Sequence, residues 1–256
     1  MSGLQIHIEQ LAYRQGDAPV LAELQLQVAP GEFVVALGPS GAGKSSLLNA
    51  ISGLGPSFHG HISLNGEDLG AKPENIGLGY MFQEPRLMPW LTVLENVTLV
   101  LEGREDAEQV AARLLTAVGL QQALHAYPAS LSGGMQRRVA LARAFSVEPG
   151  LLLMDEPFVS LDAPTAAALR DQMLQLWRDS GAAVLMVTHD LREAVSMADR
   201  LVFLSSSPAT VIHQAEVDLP RPRNIDGRRE AAFVQDLLAE HPHLLSGITG
   251  GDVLDD

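Results

Sequence analysis

The spacing of apolar and polar residues along this chain predicts several strands before any motif is considered. Residues 4–9 and 24–28 alternate apolar and polar side chains, which indicates an antiparallel sheet with one solvated face. The runs at 33–37, 151–154 and 182–188 do not alternate, as is typical of strands covered on both faces. Strands of both kinds, separated by helical patterns, predict an α/β fold.

Apolar residues recur every three or four positions within 94–101 and again within 110–118, which predicts a helical region from Thr92 to about Gly119. An apolar strand is predicted at 76–82, before this helical region, and it leads into Gln83. The segment 84–91 contains two prolines among large apolar residues and is predicted to be an irregular connector.

The remaining patterns predict a hairpin turn at Asn65-Gly66 and two further helices at 163–178 and 191–198. A closing pair of strands is predicted at 201–204 and 210–212, followed by a C-terminal helix at 227–240 and a frayed tail at 247–256.

Composition narrows the class of protein. The chain has 256 residues, 46% of them hydrophobic, and a mean hydropathy of +0.11, which are values expected of a globular protein with a substantial core. No apolar window reaches the roughly 18 to 20 residues needed to span a bilayer, and the start of the chain does not have the layout of a signal peptide. A net charge of −14 argues against a nucleic-acid partner, and the lack of cysteine excludes disulfides and thiolate metal sites. We expect a cytoplasmic protein.

The clearest chemistry lies just after the apolar run at 33–37. Residues 38–45 fit the pattern Gly-x-x-x-x-Gly-Lys-[Ser/Thr], in the strand–loop–helix setting that a phosphate-binding loop requires. Lys44 supplies a positive charge for the outer phosphates of a nucleoside triphosphate, and the Ser45 hydroxyl is placed to bind Mg²⁺. A glycine-rich turn that merely carries a lysine is the alternative. The predicted binding loop comprises Gly38, Pro39, Ser40, Gly41, Ala42, Gly43, Lys44, Ser45 and Ser46.

Candidate catalytic groups follow the later apolar strands. Asp155 suits a Mg²⁺ ligand, and Glu156 beside it suits a general base, although adjacent carboxylates can also cap a following helix. His189 could contact a γ-phosphate or be a satisfied histidine at the edge of the core. The Tyr13 ring could stack on adenine or be a partly exposed strand aromatic.

A second anion-binding segment is predicted at 131–136, with the sequence Leu-Ser-Gly-Gly-Met-Gln. Ser132 is a good N-cap candidate, and Gly133 and Gly134 leave backbone amides uncovered at the start of a helix.

These motifs, in this order, resemble the ATP-binding subunit of an ABC transporter over residues 4–220. The resemblance implies roles for residues of the Q-loop, the Walker B strand, the D-loop, the switch and the signature. In the Q-loop, Gln83 would be catalytic and bind Mg²⁺; in the Walker B strand, Asp155 would bind Mg²⁺ and Glu156 would be the catalytic base. The D-loop residue Asp162 and the signature residues Ser132, Gly133 and Gly134 would lie at the nucleotide. The switch residue His189 would contact the γ-phosphate, Tyr13 would lie at the adenine, and Lys44 would take part in catalysis.

The resemblance also implies an architecture and partners. The fold would have a mixed central sheet, an antiparallel β subdomain and an inserted α-helical subdomain at about 84–146, within an ATPase domain at 1–223. Residues 224–256 would form a helical appendage, either regulatory or simply a surface helix with a loose tail. Two copies would bind ATP and Mg²⁺ head to tail, at the cytoplasmic face of the cell membrane. Permease subunits would dock between Gln83 and Trp90, although Trp90 could instead pack inside the helical subdomain. An extracytoplasmic solute-binding protein would take part indirectly.

Residues 87–93 and 217–223 resemble the branch of the family that imports nitrate, sulfonates and taurine. The chain departs from that branch at 159–162, which reads Val-Ser-Leu-Asp, and at 136–138, which reads Gln-Arg-Arg. The transported solute therefore stays open at this point, as do two other functions: an exporter's cassette and a soluble ABC-type ATPase.

Overall fold

The computed structural model describes residues 3–14, 16–69 and 77–248, which fall into two compact units. The first unit combines the described residues of 1–75 with those of 183–256, and the second comprises those of 76–182.

Strands and helices alternate along much of the chain. The strands are β1 (Leu4–Leu11), β2 (Leu21–Val28), β3 (Phe33–Leu37), β4 (Phe58–Leu64), β5 (Glu67–Asp68), β6 (Leu78–Met81), β7 (Leu151–Asp155), β8 (Ala183–Thr188), β9 (Arg200–Leu204) and β10 (Val211–Glu216). The α-helices are α1 (Lys44–Ile51), α2 (Val93–Thr98), α3 (Ala107–Ala117), α4 (Gly133–Ser146), α5 (Ala163–Ser180), α6 (Leu191–Met197) and α7 (Arg228–Glu240).

An antiparallel sheet in the first unit has the strand order β2-β1-β4-β5. Buried and solvated positions alternate along β2, because one face of the sheet covers the core. The predicted turn at Asn65-Gly66 joins β4 to β5, and both of its residues have positive φ, 54° and 88°, as a two-residue hairpin turn requires.

A mixed sheet in the same unit has the order β10-β9-β3-β8. Strand β3 runs parallel to both neighbours, and all five of its residues are buried, as its unbroken apolar run predicts. The parallel register places Leu37 opposite Thr188 on one side and Phe203 on the other. Whatever follows Leu37 and Thr188 must therefore leave the sheet at the same edge.

The second unit contains the parallel pair β6 and β7 and a group of packed helices. The strand predicted at 76–82 is observed at Leu78–Met81, and Ile76 lies outside the described residues. The helical region predicted from Thr92 to about Gly119 contains two helices, α2 and α3. They are separated by a 3₁₀ turn and by Gly103, whose φ of 87° no α-helix allows.

After β10 the chain is tied back onto the first unit. The Arg223 guanidinium donates to the carbonyls of Val195 at 3.1 Å, Val217 at 2.8 Å and Ala198. Helix α7 then packs on α6. The predicted tail from 249 onward lies outside the described residues.

The helices of the described residues were compared with the length and apolar character that a membrane-spanning helix needs. Over the part of the chain that the structure describes, no helix is both long enough and apolar enough to cross a bilayer.

Candidate nucleotide site

The predicted phosphate-binding loop connects β3 to α1 in the first unit. Gly41 and Gly43 have φ values of 81° and 85°, a region that favours glycine. A Cβ on Gly43 would also lie 2.9 Å from side-chain atoms of Val20 and Leu21, so this position excludes any larger residue. The loop can therefore turn its amides inward, as phosphate binding requires.

Lys44 opens α1 and is only 7% exposed. Its Nζ donates to the carbonyls of Gly38 at 2.8 Å and Pro39 at 2.9 Å, which hold the ammonium over the loop. The next residue, Ser45, is exposed in the first turn of the helix. A cation, a hydroxyl and the positive end of a helix thus lie together where an anion would bind.

Tyr13 lies beside this loop. Its hydroxyl is 2.8 Å from Ser46 Oγ in α1, while the side chain as a whole remains 59% exposed. Both alternatives for Tyr13 assume an exposed ring, and the contact with Ser46 places that ring next to the phosphate-binding helix.

His189 leaves the sheet beside the same loop. Because Leu37 pairs with Thr188, Gly38 and His189 are the first residues past the ends of neighbouring parallel strands. His189 is exposed, and the turn that carries it is fixed by Asp190. The Asp190 carboxylate caps α6 by accepting from the amides of Arg192 at 2.8 Å and Glu193 at 3.1 Å. The side chain is therefore presented to solvent from a rigid corner.

The acidic candidates lie at the corresponding edge of the parallel pair in the second unit. Met81 pairs with Met154, so Asp155 and Glu156 leave the sheet at the same level as Phe82 and Gln83. Asp155 is buried, Glu156 is half-buried and Gln83 is exposed. Their oxygens are the hard ligands that Mg²⁺ prefers. Burial and the Asp155 charge raise the pKa of Tyr80, which therefore stays protonated beside these groups.

Asp162 acts as the N-cap of α5. Its carboxylate accepts from Thr165 N at 3.0 Å and from Thr165 Oγ1 at 2.8 Å, and these hydrogen bonds lower the pKa of the Asp162 carboxyl. The carboxylate stays charged and its direction is fixed.

The predicted second anion site is a helix N-terminus that faces outward. Ser132 caps α4 by accepting from Met135 N at 3.3 Å, as its sequence position predicts. The two glycines that follow differ in their surroundings. A Cβ on Gly133 would meet no atom within 4 Å, whereas a Cβ on Gly134 would lie 2.5 Å from Thr165 Cγ2. Packing explains Gly134, but it does not explain Gly133.

Sequence reasoning missed the residues that shape the segment between Gln83 and Trp90. The Arg143 guanidinium donates to the carbonyls of Pro85 at 2.7 Å and Arg86 at 3.0 Å. Asn96 is fully buried and bonds both the amide and the carbonyl of Met88. A polar residue within the apolar spacing of a helix is the signal that could have found Asn96.

These contacts hold the segment in an irregular shape that exposes the Trp90 side chain. Trp90 is 69% exposed, so it does not pack inside its unit, which was one of the two alternatives.

Comparison with protein-family models identifies the lineage of these motifs. The model described as ABC transporter matches residues 21–159, which is more than half of the chain. The chain belongs to the ABC transporter family.

Several relatives of this ABC protein are named as ATP-binding proteins of sulfonate import. An "Aliphatic sulfonates import ATP-binding protein SsuB 1" from Xanthomonas axonopodis pv. citri is 44% identical over 93% of this chain and 96% of its own. The protein named SsuB from Bacillus subtilis is 40% identical over 86% of each chain. Each is a protein that this chain is similar to over nearly its whole length.

Solved ABC cassettes share the fold. A dimeric ATP-binding cassette in a post-hydrolysis state, bound to ADP and phosphate, superposes with a TM-score of 0.74 at 29% identity, covering 85% of this chain and all of the other. A bacterial ABC transporter cassette, also dimeric, gives the same TM-score at 28% identity and the same coverage. The predicted fold class is confirmed, and the chain is an ATP-binding ABC-type ATPase.

Proposed function

We propose that this chain is the ATP-hydrolysing subunit of a bacterial importer whose cargo is an aliphatic sulfonate. The cargo follows from the names of relatives that are 40–44% identical over at least four-fifths of this chain. Aliphatic sulfonates fall within the nitrate, sulfonate and taurine branch that residues 87–93 and 217–223 resemble.

The observation that carries the ATPase proposal is the geometry of Lys44. Two loop carbonyls hold this buried ammonium at the N-terminus of α1, at the positive end of the helix and one residue before the exposed Ser45 hydroxyl. A triphosphate supplies the negative charge that such a group binds.

Each catalytic side chain has a role that its position supports. Lys44 neutralises charge on the outer phosphates, and His189 donates a hydrogen bond to the γ-phosphate. Glu156 accepts a proton from water as the water oxygen bonds to the γ-phosphorus and the bond to the bridging β–γ oxygen breaks, releasing ADP and phosphate. Tyr13 stacks on the adenine.

Mg²⁺ fits the donor set of the chain. The Ser45 hydroxyl, the Gln83 amide oxygen and the Asp155 carboxylate are all oxygen ligands, and they would hold the ion. When bound, it neutralises charge on the β- and γ-phosphates.

A second copy of the chain completes the machinery in this proposal. Ser132 and Gly133 expose the N-terminus of α4 to solvent, where it can bind the phosphates of ATP held by the partner copy. Asp162 contributes at the same interface. The two copies associate head to tail.

Membrane coupling is assigned to the exposed segment that ends at Trp90. Permease subunits would dock there and place the chain at the cytoplasmic face of the membrane, with a solute-binding protein acting on the far side. We also propose that residues 1–223 form the ATPase domain, with its helical subdomain at about 84–146, and that residues 224–256 form an appendage.

Phosphate release tests the ATPase assignment. The wild-type chain should hydrolyse ATP, whereas Glu156→Gln and Lys44→Ala should lose at least about a hundredfold in turnover. Glu156→Gln should still bind a fluorescent ATP analogue, because the carboxylate acts in the chemical step only. Turnover close to wild type in Glu156→Gln would remove Glu156 as the base.

Growth tests the cargo. A strain that lacks this gene should fail to grow on an alkanesulfonate as sole sulfur source but should grow on sulfate. The wild-type gene should restore growth and the Glu156→Gln gene should not. Normal growth of the deletion strain on alkanesulfonates, in the absence of a second such importer, would show that the cargo assignment is wrong.

A further inference from the structure

We propose that Arg137 is a positioning residue for catalysis: it fixes the turn that carries Glu156. This proposal rests on the role of Glu156 as the base, proposed above. The turn in question, residues 156–160, is called here the Glu156 turn, and it lies with Arg137 in the same compact unit.

One guanidinium bridges two carbonyls of this turn. Arg137 Nη1 donates to Pro157 O at 2.9 Å, and Nη2 donates to Val159 O at 2.6 Å. The side chain is 8% exposed, although Arg137 lies on α4, twenty positions earlier in sequence. These contacts connect the signature helix to the turn without a covalent bond.

The Glu156 turn requires such support because its backbone is strained. Glu156 has a φ of 43° and Ser160 a φ of 62°, so two residues with side chains adopt the left-handed region. The hydrogen bonds within the turn are long: Val159 N to Glu156 O and Leu161 N to Phe158 O are both 3.3 Å. The two bonds from Arg137 are shorter and charge-assisted, so they are the stronger restraint.

The chemistry of the bridge requires arginine. Two parallel donors on a planar group reach two carbonyls that are separated by one residue, whereas a lysine ammonium is a compact point charge on a flexible chain. Burial lowers the pKa of the Arg137 guanidinium, which shows that the buried cation is held against a desolvation cost. The two carbonyls compensate for that cost.

A second arginine packs against the same turn from another direction. The Arg170 guanidinium lies 5.4 Å from the centroid of the Phe158 ring, within reach of a cation–π contact. Arg137 bonds the backbone of the turn directly, so we expect it to restrain the direction in which Glu156 leaves β7.

Loss of Arg137 should lower the rate of ATP hydrolysis without weakening ATP binding. Arg137 bonds the turn after β7, whereas Lys44 is held by carbonyls of its own loop, so loss of Arg137 should leave ATP affinity unchanged. With the turn released, the Glu156 carboxylate would sample positions away from the attacking water. A small displacement of a catalytic group can cost a hundredfold in rate.

The test compares Arg137→Gln and Arg137→Lys with Arg138→Gln in the full-length chain. Arg138 is the next residue on α4, and no bond from it to the Glu156 turn is recorded among the described residues. We expect turnover at saturating ATP to fall at least tenfold in both Arg137 variants and to stay within twofold in Arg138→Gln. The Kd for an ATP analogue should stay within twofold in all three.

Hydrogen exchange supplies a readout that does not depend on catalysis. The amides of residues 158–161 should exchange faster in the Arg137 variants than in the wild type or in Arg138→Gln. Unchanged exchange and unchanged turnover in Arg137→Gln would overturn the proposal, and so would full turnover in Arg137→Lys, because a point charge would then suffice.

Failure of the proposed function would look different. If the wild type and Arg138→Gln both lack ATPase activity, the assignment of Glu156 is wrong. The exchange measurement would then still decide whether Arg137 holds the turn. If Arg137→Gln does not fold, Arg137→Lys keeps the test open, because it retains the buried charge and most of the volume.

Discussion

Asn96 offers the sharpest quantitative prediction for the segment that exposes Trp90. The side chain is fully buried in α2, and its Oδ1 accepts from Met88 N at 2.7 Å. Its Nδ2 donates to the carbonyls of Met88 at 3.1 Å, Leu91 at 3.1 Å and Thr92 at 2.9 Å. A single side chain thus bonds the backbone of three residues, Met88, Leu91 and Thr92.

The cost of Asn96→Ala can be worked out from these bonds. The substitution removes the Asn96 acceptor of the Met88 amide, which costs about 1–3 kcal/mol where water cannot replace it. It also removes the two N–H donors that the three carbonyls share, at about 1 kcal/mol each. The free energy of unfolding should therefore fall by roughly 3–5 kcal/mol, and at about 2–4 °C per kcal/mol for a chain of this size the Tm should fall by at least about 6 °C.

Calorimetry measures the Tm, and hydrogen exchange follows the Met88 amide, which should lose protection in Asn96→Ala. Thr98→Ala is the matched control, because the Thr98 hydroxyl bonds only the Glu95 carbonyl within its own helix, and its Tm should move by no more than about 2 °C. A melting temperature for Asn96→Ala within 1 °C of wild type, together with unchanged exchange at Met88, would refute the reasoning.

Two further predictions concern the signature glycines and the response to acid. Gly133→Ala should fold normally, because its Cβ would meet no atom of the chain within 4 Å, but it should lose at least tenfold in ATP turnover, because that Cβ would lie where the phosphate bound by the partner copy approaches. Gly134→Ala should instead lower the Tm, because its Cβ would lie 2.5 Å from the Thr165 methyl carbon. Burial and the neighbouring His241 ring, 4.1 Å away, lower the pKa of His213, and Glu240 opposes them only in part. The folded state therefore favours neutral His213, so stability should fall as the pH drops through and below about 6.5, and His213→Gln should reduce that fall.

Each of these predictions has its own control. ATP turnover and thermal melts of the two glycine variants are compared directly, and equal losses of stability would contradict the distinction between them. Urea unfolding between pH 7.5 and 5.5 measures the effect of acid, with His59→Gln as the control because His59 is exposed on β4. If both histidine variants show the same pH dependence as the wild type, His213 does not carry the effect.

Local signals in the sequence were sufficient for the elements and motifs that this fold positions. The unbroken apolar run at β3, the Asn65-Gly66 turn and the Ser132 cap all appear as predicted, because each depends on residues that are adjacent in the chain. The glycine-rich loop with Lys44 is equally local.

The parts that could not be predicted depend on contacts between distant residues. The apolar spacing of 94–101 and of 110–118 predicts helical structure on both sides of the polar stretch at 102–109, but it does not fix where α2 ends and α3 begins. The bond from Arg143 to the Pro85 carbonyl spans 58 positions. In the sequence, Arg137 is only part of a departure from the usual signature, and the fold shows that its guanidinium is buried against two carbonyls.

The exposed N-terminus of α4 is the part of the chain that the proposed dimer would use. A Cβ on Gly133 would meet no atom of the chain within 4 Å, and Ser132 is exposed, so we propose that both act on ATP held by a second copy. Light scattering of Glu156→Gln should give the mass of one 27.4 kDa chain without nucleotide and twice that mass with ATP. A mass that does not change with ATP would contradict the head-to-tail dimer.

Coupling to a membrane permease is the central claim, and one purification tests it most directly. Tagged Glu156→Gln chain would be isolated from detergent-solubilised cells in the presence of ATP, and the captured proteins identified by mass spectrometry. The account predicts a multi-spanning membrane protein in stoichiometric amounts, lost when Trp90 is replaced by Asp. Recovery of ribosomal or DNA-repair proteins, with no membrane protein, would contradict it.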